Sequence, residues 1–154
     1  MQLTRFSDYS LRVLLYLAIH GNRLVPIDEV SRAYGVSHHH LVKVVQLLVS
    51  KGLVASTRGR GGGLRLNRDP DDINVGALVR ATEPHFDIVE CFDRTTNTCP
   101  IEPACGLKRV LRDAQRAFLG VLDGSTLADF LPRAPQLIQL WKRPRDGPAL
   151  RRPR

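Results

Sequence analysis

Three short apolar stripes, separated by glycine and proline, constrain the first fifty residues more than any other feature. The first ends at Gly21, and a second short segment begins at Pro26 and stops at Gly35. Ser37, a residue type that favours helix N-termini, precedes the third stripe. That stripe follows the helical spacing i, i+3, i+4, i+7 and consists of Leu41, Val44, Val45 and Leu48. The pattern predicts three helices in a helix-turn-helix arrangement.

The polar side chains of the third predicted helix are concentrated at its N-terminal end, which is the end that helix-turn-helix proteins insert into the major groove. They are Ser37, His38, His39, His40 and Lys43. Consecutive histidines on a helix point about 100° apart, so three in a row do not converge easily on one metal ion. We therefore expect these residues to contact DNA, with simple solvent exposure as the alternative.

A glycine-rich segment follows, with strand-like residues on both sides. Residues 53–57 and 64–67 predict the arms of a hairpin, with Gly59 and Gly61 to Gly63 supplying positive-φ positions at the tip. Phosphate-cradling loops lead directly into a helix, whereas this one leads into a strand. The hairpin predicts a wing, and its arginines are expected to contact phosphate or the minor groove, with a solvated charge cluster as the alternative. They are Arg58, Arg60, Arg65 and Arg68.

The charge distribution agrees with a nucleic-acid partner. Residues 1–68 contain ten Lys and Arg against three Asp and Glu, whereas residues 69–141 contain seven against eleven. A basic N-terminal half beside an acidic middle is typical of a chain with one DNA-facing part. The chain has no signal-peptide layout and no apolar run of membrane-spanning length, so we expect a soluble, cytoplasmic protein. No acid–base pair, nucleophile or dinucleotide motif is visible, so we do not expect an enzyme.

All three cysteines lie within one stretch of fifteen residues. Cys91, Cys99 and Cys105 are separated by seven and five residues. An odd number cannot all pair as disulfides, and structural zinc sites favour four ligands with CxxC pairs. Three thiolates with a fourth ligand still to be found suit an iron–sulfur cluster better.

The segment after the cysteines predicts a long one-sided helix, which in a short chain often packs on its own twin. Its apolar stripe is Leu107, Val110, Leu111, Ala114, Ala117, Phe118, Val121 and Leu122. Residues 126–131 predict a short closing helix with a capping-box variant. We expect four regions: a winged helix-turn-helix at 1–83, a cluster loop at 84–106, the dimerisation and closing helices at 107–131, and a basic, disordered tail at 132–154. The predicted fold class is mainly α with a small β-hairpin wing.

Taken in order, these segments resemble the Rrf2 family of winged-helix regulators. The resemblance rests on FSDYSLRVLLYLA, YGVSHHHLVKVVQLLVSKGLV, RGRGGGLRL, the three-cysteine loop and LKRVLRDAQRAFLGVLDGSTLADF, and covers residues 1–131. Within the family, the sequence is most similar to the NsrR branch of nitric-oxide-sensing repressors. Relatives that regulate cluster biogenesis have a histidine three residues after the last cysteine, where this chain has Lys108.

The resemblance implies an iron–sulfur cluster held by the three cysteines and by Asp8 of the partner subunit. A [4Fe-4S] cluster is favoured and [2Fe-2S] is the alternative. It further implies a homodimer that binds an inverted-repeat operator in double-stranded DNA and releases it when nitric oxide reacts with the cluster, derepressing nitric-oxide detoxification genes. The same fold sensing iron, oxygen or redox state is the alternative. Without the resemblance, Asp8 is interpreted as an acid in the first turn of a helix.

Overall fold

The computed structural model describes residues 2–142, and over that range helices predominate. The helices are α1 (Arg5–His20), α2 (Ile27–Tyr34), α3 (His38–Ser50), α4 (Val75–Thr82), α5 (Gly106–Asp123) and α6 (Ala134–Lys142). Strands β1 (Val54–Thr57) and β2 (Gly63–Leu66) form one antiparallel hairpin. Short 3-10 helices span Pro70–Asp72, Glu90–Phe92, Glu102–Ala104 and Leu127–Arg133. The predicted fold class, mainly α with a small hairpin wing, is confirmed.

Helix α1 lies at the centre of the N-terminal region and is buried on more than one side. Val13, Leu14 and Leu17 are completely buried, and the helix contacts α2, α3, α4, strand β2 and the 3-10 helix Leu127–Arg133. The apolar spacing of this segment predicts a packing face of Phe6, Leu11, Leu14, Leu15 and Ala18, of which Leu14 is completely buried and the other four are partly buried. The completely buried Val13 and Leu17 lie outside that predicted face. A helix enclosed by several neighbours has no single apolar face, so its periodicity is weak.

The helix-turn-helix forms as the sequence predicted. Helix α2 ends at Gly35, which adopts the left-handed conformation at φ 62°, and α3 begins after Ser37. The predicted stripe of α3 is buried against α1 and α2. Glu29 of α2 binds both guanidinium nitrogens of Arg23, at 2.6 and 3.0 Å, and accepts a hydrogen bond from the Tyr16 hydroxyl at 2.9 Å. This group of contacts ties the end of α1 to the start of the motif.

The hairpin pairs Val54 with Leu66 and Thr57 with Gly63, close to the predicted arms. The prediction that Gly61 to Gly63 all have positive φ was wrong, because φ is positive only at Gly59 and Gly61 of the tip. Gly63 is needed for another reason. A Cβ atom there would lie 2.9 Å from the backbone of Val25, which forms an isolated bridge with Leu64 and anchors the wing.

The long helix α5 presents two different apolar surfaces. Leu111, Phe118 and Leu122 are partly buried, whereas a second stripe faces outward. The outward stripe is Leu107, Val110, Ala114, Ala117 and Val121. Helix α5 is held to α4 by the ion pair between Arg80 and Asp123 and by Asn74, whose amide donates to the Asp123 carbonyl at 2.6 Å. The predicted closing element is a 3-10 helix, with the capping box of Thr126 and Asp129 in place.

The sequence expectation of a disordered tail from residue 132 onward was wrong for its first part. Residues 134–142 form helix α6, which packs on α2 and on the 3-10 helix before it. Its Trp141 ring lies 4.5 Å from that of Tyr16 and 5.5 Å from that of Tyr34. These aromatic contacts stabilise α6 against α1 and α2. Residues 143–154 of the predicted tail lie outside the described residues. Among the helices of residues 2–142, none is long and apolar enough to cross a bilayer.

The Glu29 contacts predict a defined acid dependence of stability. Hydrogen bonds from Arg23 lower the pKa of Glu29 to about 2, so the carboxylate stabilises the folded state above its unfolded pKa of about 4.5. That contribution is lost as the pH falls from about 4.5 towards about 2. Glu29→Gln should therefore lower the free energy of unfolding by about 1 kcal/mol at pH 7 and flatten its decline over that range.

Urea denaturation at stepped pH values measures this dependence. The exposed carboxylate of Asp71 provides the matched control. Asp71→Asn should leave both the stability at pH 7 and the acid decline unchanged. An unaltered acid decline in Glu29→Gln would contradict the assignment.

Candidate DNA-binding surface and metal centre

The residues predicted to contact DNA lie on two adjoining exposed elements. His38, His39 and His40 form the first turn of α3, and Lys43 follows one turn later; all four are exposed. Ser37 occupies the N-cap position, but its side chain makes no capping hydrogen bond and is exposed. The first turn of α3 therefore presents its polar side chains to solvent, as a groove-reading helix requires.

His38 also has a partner within the motif. Its Nδ1 atom lies 2.5 Å from the Asp28 carboxylate of α2. This contact joins the two helices of the motif across their turn. Sequence reasoning assigned His38 only to DNA, and the spacing of ten residues between two elements gave no local signal for the pair.

The wing carries its arginines at the tip and on strand β2. Arg58 and Arg60 lie in the turn, and Arg65 lies on β2; all are exposed. Arg68 differs, because its guanidinium approaches the Lys51 carbonyl at 3.4 Å and so folds back on the end of α3. The wing joins α3 directly, since the Leu53 amide donates to the last turn of that helix. Exposed polar side chains of α3 and exposed arginines of the wing thus lie on adjoining elements. We call α3 the recognition helix from here on.

The three cysteines lie in the loop between α4 and α5, each partly buried and none in a disulfide. Cys91 lies in the 3-10 helix Glu90–Phe92, and Cys105 is the N-cap residue of α5. The thiols do not converge in this single chain. Across residues 2–142, no three His, Cys, Asp or Glu side chains are close enough to hold a metal ion.

The donor chemistry nevertheless fits an iron–sulfur cluster. Three thiols on one loop are soft ligands of the type that iron–sulfur clusters use. The carboxylates of the loop already have partners: Glu90 binds Thr98, Asp93 binds Thr95 and Thr96, and Glu102 binds Lys108. The hydrogen bonds from Thr98 and the contact with Lys108 hold the pKa of Glu90 and of Glu102, respectively, below the usual range. These three carboxylates are therefore engaged within the loop.

Asp8, the predicted outside donor, lies in the first turn of α1 and is half-exposed. Arg12, one turn further on, binds both of its oxygens, with Nε to Oδ1 at 2.8 Å and Nη2 to Oδ2 at 2.7 Å. The Arg12 guanidinium also lies over the rings of Tyr9 and Tyr34, 5.9 and 5.6 Å from their centroids. Tyr9 in turn lies 6.3 Å from the ring of His40. A chain of contacts therefore runs from Asp8 to the recognition helix.

Sequence reasoning missed two residues that hold Asp8 in place. Arg12 had a usable signal, because it lies four residues after Asp8 on the same helix. Glu83 had none: it lies at the end of α4 and accepts hydrogen bonds from the Thr4 amide at 2.7 Å, the Thr4 hydroxyl at 2.9 Å and the Ser7 hydroxyl. Burial alone would raise the pKa of Glu83, but these hydrogen bonds outweigh it and keep that pKa low. Glu83 thus fixes the start of α1.

Comparison with known proteins identifies the family of the chain. The profile of the Rrf2 family, described as "Iron-dependent Transcriptional regulator", matches residues 3–133. The chain is 48% identical to the HTH-type transcriptional regulator NsrR of Bacillus subtilis, over 92% of this chain and 98% of that one. It is 46% identical to the regulator of the same name from Halalkalibacterium halodurans, with the same coverage.

Solved structures give the same result for the fold. The structure of CymR, the global cysteine regulator of B. subtilis, is 26% identical and superimposes with a TM-score of 0.70, covering 86% of this chain and 97% of that one. The IscR of T. potens is 28% identical, with a TM-score of 0.69 and coverages of 87% and 88%. The family match spans the helix-turn-helix, the wing, the cysteine loop and α5 together. The chain therefore belongs to the Rrf2 family of transcriptional regulators.

Proposed function

We propose that this protein is a cytoplasmic, dimeric repressor that binds an inverted-repeat operator and releases it when nitric oxide reacts with its iron–sulfur cluster. The observation that carries the proposal is the loop of three thiols in a chain that matches regulators named NsrR over nearly its whole length. Nitrosylation would then derepress genes for nitric-oxide detoxification.

The proposed ligands are Cys91, Cys99 and Cys105 of one subunit and Asp8 of the other. We favour a [4Fe-4S] cluster, with [2Fe-2S] as the alternative. When bound, such a cluster supplies iron that nitric oxide attacks. A carboxylate suits the labile position, because it is a harder and weaker partner than thiolate for this iron.

Asp8 has a second partner in its own chain. Arg12 holds both of its oxygens. Iron would compete with the guanidinium for the charge of this carboxylate, so ligation across the dimer would weaken the pairing with Arg12. Arg12 also contacts Tyr34, the last residue of α2, the helix that directly precedes α3. A change in the pairing of Asp8 with Arg12 would therefore act next to the proposed DNA-binding surface. A coupling free energy of about 1–3 kcal/mol between the ligation of Asp8 and operator binding would change operator affinity about 5- to 150-fold.

The outward stripe of α5 supports the dimer. Val121 is 72% exposed, Leu107 63% and Val110 57%, which is unusual for large apolar side chains aligned on one helix. Packing this stripe on its twin would bury it and set two recognition helices about one turn of DNA apart, roughly 34 Å. That spacing is the reason for expecting an inverted repeat.

Iron supply is the second candidate signal, because the family profile is described as iron-dependent. The two signals are separable. Under anaerobic conditions, nitric oxide should release the operator within the mixing time, whereas a chelator of comparable concentration should not. Release by the chelator alone would favour iron supply over nitric oxide.

Asp8→Ala tests the proposed ligand. The variant should assemble less cluster, and its operator affinity should change less than about threefold on adding nitric oxide, because the link across the dimer is missing. Anaerobic fluorescence anisotropy with a labelled operator, together with iron and sulfide analysis, measures both. Asp71→Ala, an exposed carboxylate elsewhere, should behave like the parent protein. Unchanged cluster content and response in Asp8→Ala would refute the assignment.

Val110→Glu tests the proposed interface. Burying an unpaired carboxylate in an apolar contact costs several kcal/mol, so dimerisation should weaken at least about 100-fold. Sedimentation equilibrium measures the change. Arg116→Glu places the same carboxylate on the opposite face of α5, where it should have little effect. A dimer as stable in Val110→Glu as in the parent chain would move the interface elsewhere.

Arg60→Ala tests the wing. If Arg60 contacts phosphate, the variant should bind operator and unrelated duplex more weakly by a similar factor, and the slope of log K against log salt should fall by about one unit. Arg116→Ala removes the same charge from α5 and should leave the slope unchanged. Titrations between about 50 and 200 mM salt measure this slope. An identical slope for Arg60→Ala would place the wing away from DNA.

A further inference from the structure

The two ends of the spacer between Cys91 and Cys99 are joined by one side-chain contact. Glu90 directly precedes Cys91, and Thr98 directly precedes Cys99. Oε1 of Glu90 accepts hydrogen bonds from the backbone amide and from the hydroxyl of Thr98, both at 2.7 Å. We call this pair the Glu90–Thr98 clasp. Its two residues are the sequence neighbours of Cys91 and Cys99, and its hydrogen bonds involve neither thiol.

The spacer inside the clasp contains further hydrogen bonds. Asp93 accepts hydrogen bonds from the Thr95 amide at 2.8 Å and hydroxyl at 2.7 Å, and from the Thr96 hydroxyl at 3.0 Å. The Asn97 side chain accepts from the Cys99 amide at 3.1 Å. The seven residues between Cys91 and Cys99 therefore form a turn that is held by its own hydrogen bonds.

The third cysteine is held separately. Glu102 and Lys108 lie on either side of Cys105 and form an ion pair, in which the Lys108 side chain is only 12% exposed. Arg112 of α5 lies 5.6 Å from the ring centroid of Phe92, which ties the first cysteine turn to the same helix.

We propose that Glu90 and Thr98 are positioning residues that join the backbone segments carrying Cys91 and Cys99 in the metal-free protein, so that metal binding acts on a loop whose two segments are already linked. This inference rests on the proposed function, in which both cysteines are ligands. Closing a loop on a metal costs conformational entropy, and a contact that shortens the free segment beforehand lowers that cost. The clasp also explains how this chain accommodates a seven-residue spacer.

Binding of Co²⁺ by the full-length apo protein under anaerobic conditions tests the clasp without cluster, nitric oxide or DNA. The thiolate-to-cobalt absorption reports ligation directly. Glu90→Ala, which removes the acceptor, should weaken Co²⁺ binding about tenfold, and Thr98→Val, which removes the hydroxyl but keeps the amide, about threefold. Thr98→Ser and Glu90→Gln retain the donor and the acceptor, so both should bind Co²⁺ within about twofold of the parent chain.

Thr96→Val is the matched control, because it removes a hydrogen bond of the same spacer that does not link the cysteines. It should leave Co²⁺ affinity unchanged. If Glu90→Ala fails to fold, as judged by circular dichroism, the comparison of Thr98→Val with Thr98→Ser decides alone. If Thr98→Val binds Co²⁺ as tightly as the parent chain, the proposed role of the clasp is wrong. Loss of binding in Glu90→Gln also overturns it, since a ligand carboxylate rather than a hydrogen-bond acceptor would then be required. Failure of the parent chain to give the thiolate absorption would instead overturn the cysteine site of the proposed function.

Discussion

The enclosure of helix α1 is the constraint on which the other parts of this structure depend. The helix contacts both helices of the helix-turn-helix, α2 and α3, as well as strand β2, α4 and the 3-10 helix Leu127–Arg133. Close-packed interiors transmit displacement rather than absorb it. A shift of α1 therefore has to be accommodated by the recognition helix and the wing together, and Asp8 lies at the start of that helix.

A second contact connects α1 to the cysteine loop along the chain. Glu83 ends α4, binds the first residues of α1 and immediately precedes the segment that leads to Cys91. The other end of that loop enters α5, which Arg80 and Asp123 fasten to α4. The loop is therefore attached at one end to α4, which contacts α1, and at the other end to α5, which contacts α4.

Local signals predicted some parts of the molecule well. Helix α3 and the hairpin depend on a stripe, a glycine and a pair of short strands, each contained in about fifteen residues, and both were found close to the predicted bounds. Glu83 was missed because its partners, Thr4 and Ser7, lie more than seventy residues away. Helix α6 was assigned to the disordered tail, because the prolines and like charges of the C-terminal segment predict disorder. The contacts of Trp141 with Tyr16 and Tyr34, which hold the helix in place, are tertiary and leave no local sequence signal.

The cysteine loop likewise has features that local sequence indicates and features that depend on the folded backbone. Spacing and residue type selected three candidate thiol ligands, and both their role and that of a fourth ligand from outside the loop stay predictions. Three carboxylates of the loop, Glu90, Asp93 and Glu102, have partners within it. Sequence could not reveal the Asp93 turn or the pairing of Glu102 with Lys108, since these depend on the path of the backbone. It also could not show that Asp8 is paired with Arg12 in the isolated chain.

The packing of Trp141 gives the molecule an optical property of its own. The chain contains one tryptophan, and its ring lies against Tyr16 and Tyr34, between the C-terminal helix and the reading motif. All indole fluorescence thus originates from a single junction, with two tyrosines close enough to transfer excitation energy to it. Emission from the unlabelled protein is a direct spectroscopic signal of whether helix α6 remains seated on α1 and α2.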